Sequence, residues 1–292
     1  MGLPIPHTKF LIRIFKKYNI KGKVLSLGSQ DVYLNEEQLK KLLDKNKIKY
    51  KKFIIQKTNS LELKKFKESK DFISPLTLFN SLGINEKDYF DIDKFNFDRP
   101  KILYDLQKPM KKKFFNKYDF VLDSGTLEHI FDTTSVLKNL VQITKAGGRI
   151  LHIIPVHNYV NHGFYSFSPT FIYDFYTKNK FKIEEMYVTE LGSLSYRFYK
   201  YNHTQSLDGY YLNRNKRYLM YALLKKTKGL KKIIIPDQSF YTKRTEKESK
   251  NNLIEILKNK ISFKYHSFFW EIFYKFKKLN FKRQFFELNH TI

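Results

Sequence analysis

Five polar residues in one stretch of this chain could do acid–base chemistry: Asp123, Glu128, His129, His157 and His162. Histidine takes and returns protons near neutral pH, and a neighbouring carboxylate can orient it. All five lie in YDFVLDSGTLEHIFDTTSVLKNLVQITKAGGRILHIIPVHNYVNHGFYSFSP, residues 118–169. An apolar strand over 120–122 ends at Asp123, and the small-residue turn Ser124-Gly125-Thr126 follows. A helical pattern then runs to Gly147-Gly148, and a second apolar strand over 150–154 ends at Pro155. Strand, turn, helix and strand make a βαβ unit. In open α/β sheets ligands bind beyond the carboxyl ends of such strands, which is where the five residues stand. No metal motif accompanies them, because His152 and His157 have no carboxylate nearby at zinc-site spacing. There is no G-x-S-x-G for a nucleophilic serine. Gly147-Gly148 lacks the Lys-Ser/Thr that completes a phosphate loop.

These residues need a sheet beneath them. Residues 23–27, KVLSL, form an apolar run ending at Gly28, the first strand. Asn35-Glu36-Glu37-Gln38 makes a helix start, with a capping Asn, two acids in the first turn and Gln at the third position. Leu39, Leu42 and Leu43 give that helix an apolar face. Residues 44–70 are lysine-rich, with a short strand over 52–55 as one option. The pattern over 76–82 is helical and stops at Gly83. Residues 89–92 and 102–104 are strand candidates, the second ending at Asp105 and stopped by Pro109. Asp132 caps a helix over 133–145, where Val136, Leu137, Leu140, Val141 and Thr144 share a side. A helix fragment over 171–176 follows Pro169, and strands follow over 181–188 and 218–224. This alternation predicts an α/β sheet core.

With 292 residues, 42% of them apolar, the chain can bury a large core, and no run of apolar residues is long enough to span a membrane. The first twenty residues lack the pattern of a signal peptide. The absence of cysteine excludes disulfides and thiolate metal sites and fits a cytoplasmic protein. A net charge of +27 invites a nucleic-acid reading. Lysine outnumbers arginine 47 to 8, however, and a dedicated phosphate surface would use arginine forks. Residues 241–292 are basic and aromatic. There Phe268, Phe269, Ile272, Phe273 and Phe276 make a helical stripe within 261–279, with Trp270 beside it. Such a helix packs on its own core or a partner subunit, or lies in the interface of a membrane's inner face.

The ordered set of short motifs resembles the class I S-adenosylmethionine-dependent methyltransferases. More narrowly, it is similar to a bacterial branch with a long insertion between its first two strands. The motifs are LGSQD at 27–31, DID at 91–93, DLQKP at 105–109, DSGTLEHIFD at 123–132, AGG at 146–148 and NYVNHGFYSFSP at 158–169. The resemblance covers about residues 20–240. It implies a Rossmann-like fold, a mostly parallel seven-stranded sheet with helices on both faces. The methyltransferase domain would span 1–240 with an insertion at 44–88, and a basic helical extension would span 241–292.

The resemblance also implies roles. Leu27, Gly28, Ser29, Gln30 and Asp31 form the turn around S-adenosyl-L-methionine. Asp91, next to Ile92, takes the ribose hydroxyls, with Asp93 as the alternative. Asp105 and the Leu106 backbone meet the adenine, Asp123, Ser124 and Gly125 close over the methionine end, and Glu128 contacts that end or stabilises a helix N-terminus. His162 acts as base or substrate orienter; His129 and His157 are the other candidates. Two departures stand out. Ser26 occupies the place of the acid in the superfamily's E/D-x-G-x-G turn, and the turn has one glycine, which leaves Gln30 or Asp31 to hold the methionine ammonium. The branch is often associated with surface-polysaccharide synthesis, so the implied acceptor is a sugar hydroxyl or another small molecule. A non-catalytic binding protein on the same fold and a nucleic-acid methyltransferase are the alternatives.

Overall fold

The computed structural model describes residues 2–48, 50, 54–58, 60, 63, 71–193, 195–203, 212–213, 215–230, 232–242 and 285–289. In chain order the elements are β1 (Gly2–Leu3), α1 (Ile5–Tyr18), β2 (Val24–Leu27), β3 (Asp31–Val32), α2 (Glu36–Lys45), α3 (Pro75–Ser81), β4 (Tyr89–Asp93) and β5 (Ile102–Leu103). Then come β6 (Tyr118–Ser124), α4 (Thr133–Ile143), β7 (Thr144–His157), α5 (Pro169–Lys178), β8 (Phe181–Leu191), β9 (Ser195–Lys200), β10 (Arg217–Lys226) and β11 (Phe285–Asn289).

Among the described residues nine strands form the main sheet, in the order β11-β9-β8-β10-β7-β6-β2-β4-β5, where the sequence reading expects seven. The five from β5 to β7 pair in parallel. β10 runs against both β7 and β8, and the two further strands, β9 and β11, add antiparallel pairs beyond β8. Tyr196 and Phe198 of β9 are buried and alternate with residues that are not, a period-two pattern within SYRFYK. β11 lies inside the segment expected to be a helical extension. Residues 261–279, the proposed amphipathic helix, lie outside the described residues.

Helices cover both faces. On one, Phe10, Leu11 and Phe15 of α1, Leu39 and Leu42 of α2 and Phe79 of α3 share a core with Val24, Phe120, Leu122 and Leu151. On the other, Val136 and Leu140 of α4 and Ile172 and Phe175 of α5 pack with Leu25, Val121, Ile150 and Met220. Neighbouring strand residues go to opposite clusters, as the pleat requires. α1 has no counterpart in the sequence reading. Its apolar positions, interrupted by Arg13 and Lys16, are one face of a helix whose other face carries the cations.

The α2 capping box forms as read: the Gln38 amide donates to Asn35 and the Gln38 side chain accepts from the Asn35 amide. The Asp132 side chain caps α4 through the Ser135 amide. α4 stops at Ile143 rather than at Gly147-Gly148. The two glycines sit inside β7, where pairing with β6 jumps from Tyr118–Thr144 to Phe120–Arg149. β7 also continues past Pro155 to His157. Beyond Ile153 it no longer has β6 as a neighbour, so the missing proline donor breaks no bond on that side. Of the expected strand over 52–55, residues 52 and 53 lie outside the described residues, and Ile54 and Ile55 are not in a strand.

Candidate functional site

The chain leaves β2 toward β4 and β5 on one side, then returns to place β6 and β7 on the other. The order reverses between β2 and β6, and such a reversal opens a crevice at the carboxyl ends. Gly28 follows β2 with φ +70°, a left-handed turn that glycine adopts without strain. Its amide donates to the Ile92 carbonyl of β4 at 2.8 Å. The Leu27 carbonyl accepts from the Gln30 side chain at 2.8 Å and from the Thr126 hydroxyl at 2.7 Å. Thr126 follows β6, so this one carbonyl ties together the loops on either side of the reversal.

A cleft of about 180 Å³ opens beside the Gly28 turn, lined in part by Ser29, Gln30, Asp31, Asp91, Arg99 and Lys101. Asp91 accepts from the Ser29 hydroxyl at 3.3 Å and from the Lys101 amide at 2.8 Å. Gln30 is buried and its Oε1 has no hydrogen-bond partner among the described residues. Asp31 lies in β3, paired with Gly2, rather than in a free loop. Asp105 and Leu106 do not line this cleft. Burial alone would raise the Asp105 carboxyl, but the Gln107 amide and side chain and the Lys94 ammonium hold it below its ordinary range. The Leu106 carbonyl accepts from Asn139.

Beyond β6 the residues divide into a support and a mouth. Asp123 is 0% exposed. One of its oxygens accepts from the amides of Thr126 and Leu127, and the other lies 2.6 Å from His152 Nδ1. His152 Nε2 is 2.8 Å from the Tyr176 hydroxyl. With Tyr176 donating to Nε2 and Nδ1–H donating to the carboxylate, every member is satisfied. Asp123 thus holds the Ser124-Gly125-Thr126 turn in shape from within, and its carboxylate does not face solvent. His152 and Tyr176 were not candidates from sequence; the signal was register, since Asp123 and His152 pair directly across β6 and β7.

At the mouth the 123–132 and 158–169 segments dock on each other. The Phe164 amide donates to the Glu128 carbonyl at 2.8 Å, and the Tyr165 hydroxyl donates to the Phe131 carbonyl at 2.9 Å. Phe131 and Phe164 meet edge to face, both exposed. Asn158 and Asn161 adopt positive φ to turn the loop. A Cβ on Gly163 would come within 2.8 Å of the Glu128 carbonyl oxygen, so only glycine lets the loop lie this close. This approach sets His162 beside His129, with ring centroids 5.1 Å apart, and puts His162 Nε2 3.7 Å from Glu128 Oε1.

Glu128 is 1% exposed, and its Oε2 has no partner among the described residues. Burial, then the nearby Asp123 charge, pushes its pKa up to about 8. Burial and His162 lower the pKa of His129; burial and Arg217 lower that of His162. Burial thus disfavours the charged form of all three side chains at the mouth. His157 stands apart, its ring against Tyr218. Sequence spacing gave no metal motif because Glu128 and His129 sit on one loop and His162 on another.

No protein-family description matches the chain, and no curated protein is similar to it. Solved structures are. A SAM-dependent methyltransferase from Methanosarcina mazei aligns over 73% of this chain and 97% of its own, at 9% identity and a TM-score of 0.35. The YcgJ protein from Bacillus subtilis aligns over 75% and 98%, at 10% identity and a TM-score of 0.35. A protein described with the conversion of a disulfide bond into a thioacetal group during echinomycin biosynthesis aligns over 82% and 88%, at 10% identity and a TM-score of 0.34.

Proposed function

We propose that this chain is an S-adenosylmethionine-dependent methyltransferase acting on a hydroxyl of a small or carbohydrate acceptor. The observation that carries the reading is the reversal between β2 and β6, where the Leu27 carbonyl joins the Gly28 turn to the Thr126 turn. The cofactor lies in the cleft of Ser29, Gln30 and Asp31. Asp91 takes its ribose hydroxyls, and the orphaned Gln30 Oε1 is a ready acceptor for its ammonium. The acceptor enters over the Glu128–His129–His162 mouth, where Phe131 and Phe164 offer apolar faces to a sugar ring.

In the reaction the acceptor oxygen attacks the sulfonium methyl carbon in line. The new C–O bond forms as the C–S bond breaks, S-adenosylhomocysteine leaves as a neutral thioether, and the hydroxyl proton passes to the mouth. Positioning supplies much of such a rate and proton acceptance the rest. The test is release of S-adenosylhomocysteine with panels of sugars, nucleotide sugars and RNA. A sugar panel should give turnover tolerant of salt, and His162→Ala should lower it by roughly 10²-fold or more. Turnover on RNA alone, falling steeply with salt, would move the acceptor to nucleic acid.

A further inference from the structure

Glu128, His129 and His162 present one carboxylate oxygen and two imidazole nitrogens, all within 4.8 Å of one another. Two imidazoles and a carboxylate brought this close are a donor set for a divalent first-row metal. The unpartnered Glu128 Oε2 is an independent sign. A buried carboxylate oxygen without a donor is costly unless a cation reaches it. The other oxygen is 3.7 Å from His162 Nε2. Donors bound to one zinc ion at about 2.0–2.1 Å stand roughly 3.3 Å apart, so small side-chain rotations close the cluster. Both imidazoles are exposed, which gives an ion its path in and leaves coordination positions open to solvent. Gly163, by letting the second loop lie on Glu128, is what brings the third ligand in.

We propose that Glu128, His129 and His162 bind one divalent transition-metal ion whose open positions receive the acceptor oxygen. The ion's role rests on the methyl-transfer reading; its binding does not. With the ion in place His162 is a ligand. The ion polarises the hydroxyl, and the proton leaves to water as the methyl carbon passes from sulfur to oxygen.

The test uses the full-length chain stripped with a chelator and titrated with zinc by calorimetry and with cobalt(II) by visible absorption. One equivalent should bind, with affinity at least tenfold weaker in each of Glu128→Gln, His129→Ala and His162→Ala, and unchanged in His157→Ala. Thermal melts of each variant separate loss of the ion from loss of the fold. Absence of binding, or undiminished binding in the folded His129→Ala/His162→Ala double variant, would overturn the proposal. S-adenosylhomocysteine titrated into the same metal-free protein separates the two readings. Ion binding without S-adenosylhomocysteine binding keeps the site and removes the methyl-transfer reading, and the reverse result removes only the ion.

Discussion

Gly163 fixes how the two mouth loops meet. In Gly163→Ala the new methyl must displace the Glu128 carbonyl or the loop that carries His162. Overpacking of this kind costs about 1–3 kcal/mol, which a denaturant melt should show as a lower midpoint at an unchanged slope. Beneath the mouth, Tyr176→Phe removes the hydroxyl beside His152 Nε2 and leaves that nitrogen buried without a partner. The expected loss is about 1–3 kcal/mol by the same melt, against a near-neutral result if the contact were idle. The motif blocks marked Gly28, Asp91, Asp123 and His162, which the fold places just after β2, in β4, near the end of β6 and in the loop after β7. The sequence was not legible for Thr126, His152 and Tyr176. Their importance comes from partners on other elements, and no local pattern marks such a partner.

α1 is held to β8 by Glu185, whose carboxylate is nearly buried and accepts from Arg13, Lys17 and Tyr18. Burial alone would raise its pKa, but the Arg13 and Lys17 hydrogen bonds outweigh this and hold it below the ordinary value. A carboxyl depressed on folding stabilises the native state above its unfolded pKa, and that stability is lost as pH falls through the folded value. Glu185→Gln should therefore be less stable than the parent at pH 7, with the difference shrinking once pH drops below the ordinary glutamate range. A constant difference across pH would contradict the assignment. In α2, Asn35→Ala removes the side-chain half of the capping box, the acceptor for the Gln38 amide, and should cost about 1 kcal/mol in thermal unfolding. Helices with caps were the elements best read from sequence, since α2 and α4 announce their starts locally. The α4 end was misread, because Gly147-Gly148 is equally at home where β7 leaves its pairing with β6. α1 was missed because its charged face looked like an interruption.

For the whole molecule, the alternation of strands and helices made the α/β class legible, and burial of both sheet faces follows from it. Strand order and the added β9 and β11 were not legible, because they depend on which edges pair across long stretches of chain. The order matters most for function, since it places the reversal between β2 and β6 and so the crevice. Among the described residues, no helix is long and apolar enough to cross a membrane. The cleft beside the Gly28 turn should hold S-adenosylmethionine, and calorimetric titration with S-adenosylhomocysteine, run beside Asp91→Ala, decides this. Binding is expected in the parent, with a loss of at least tenfold in the variant, about 1.4 kcal/mol or more. No binding in the parent at millimolar ligand, or equal binding in both proteins, would contradict it.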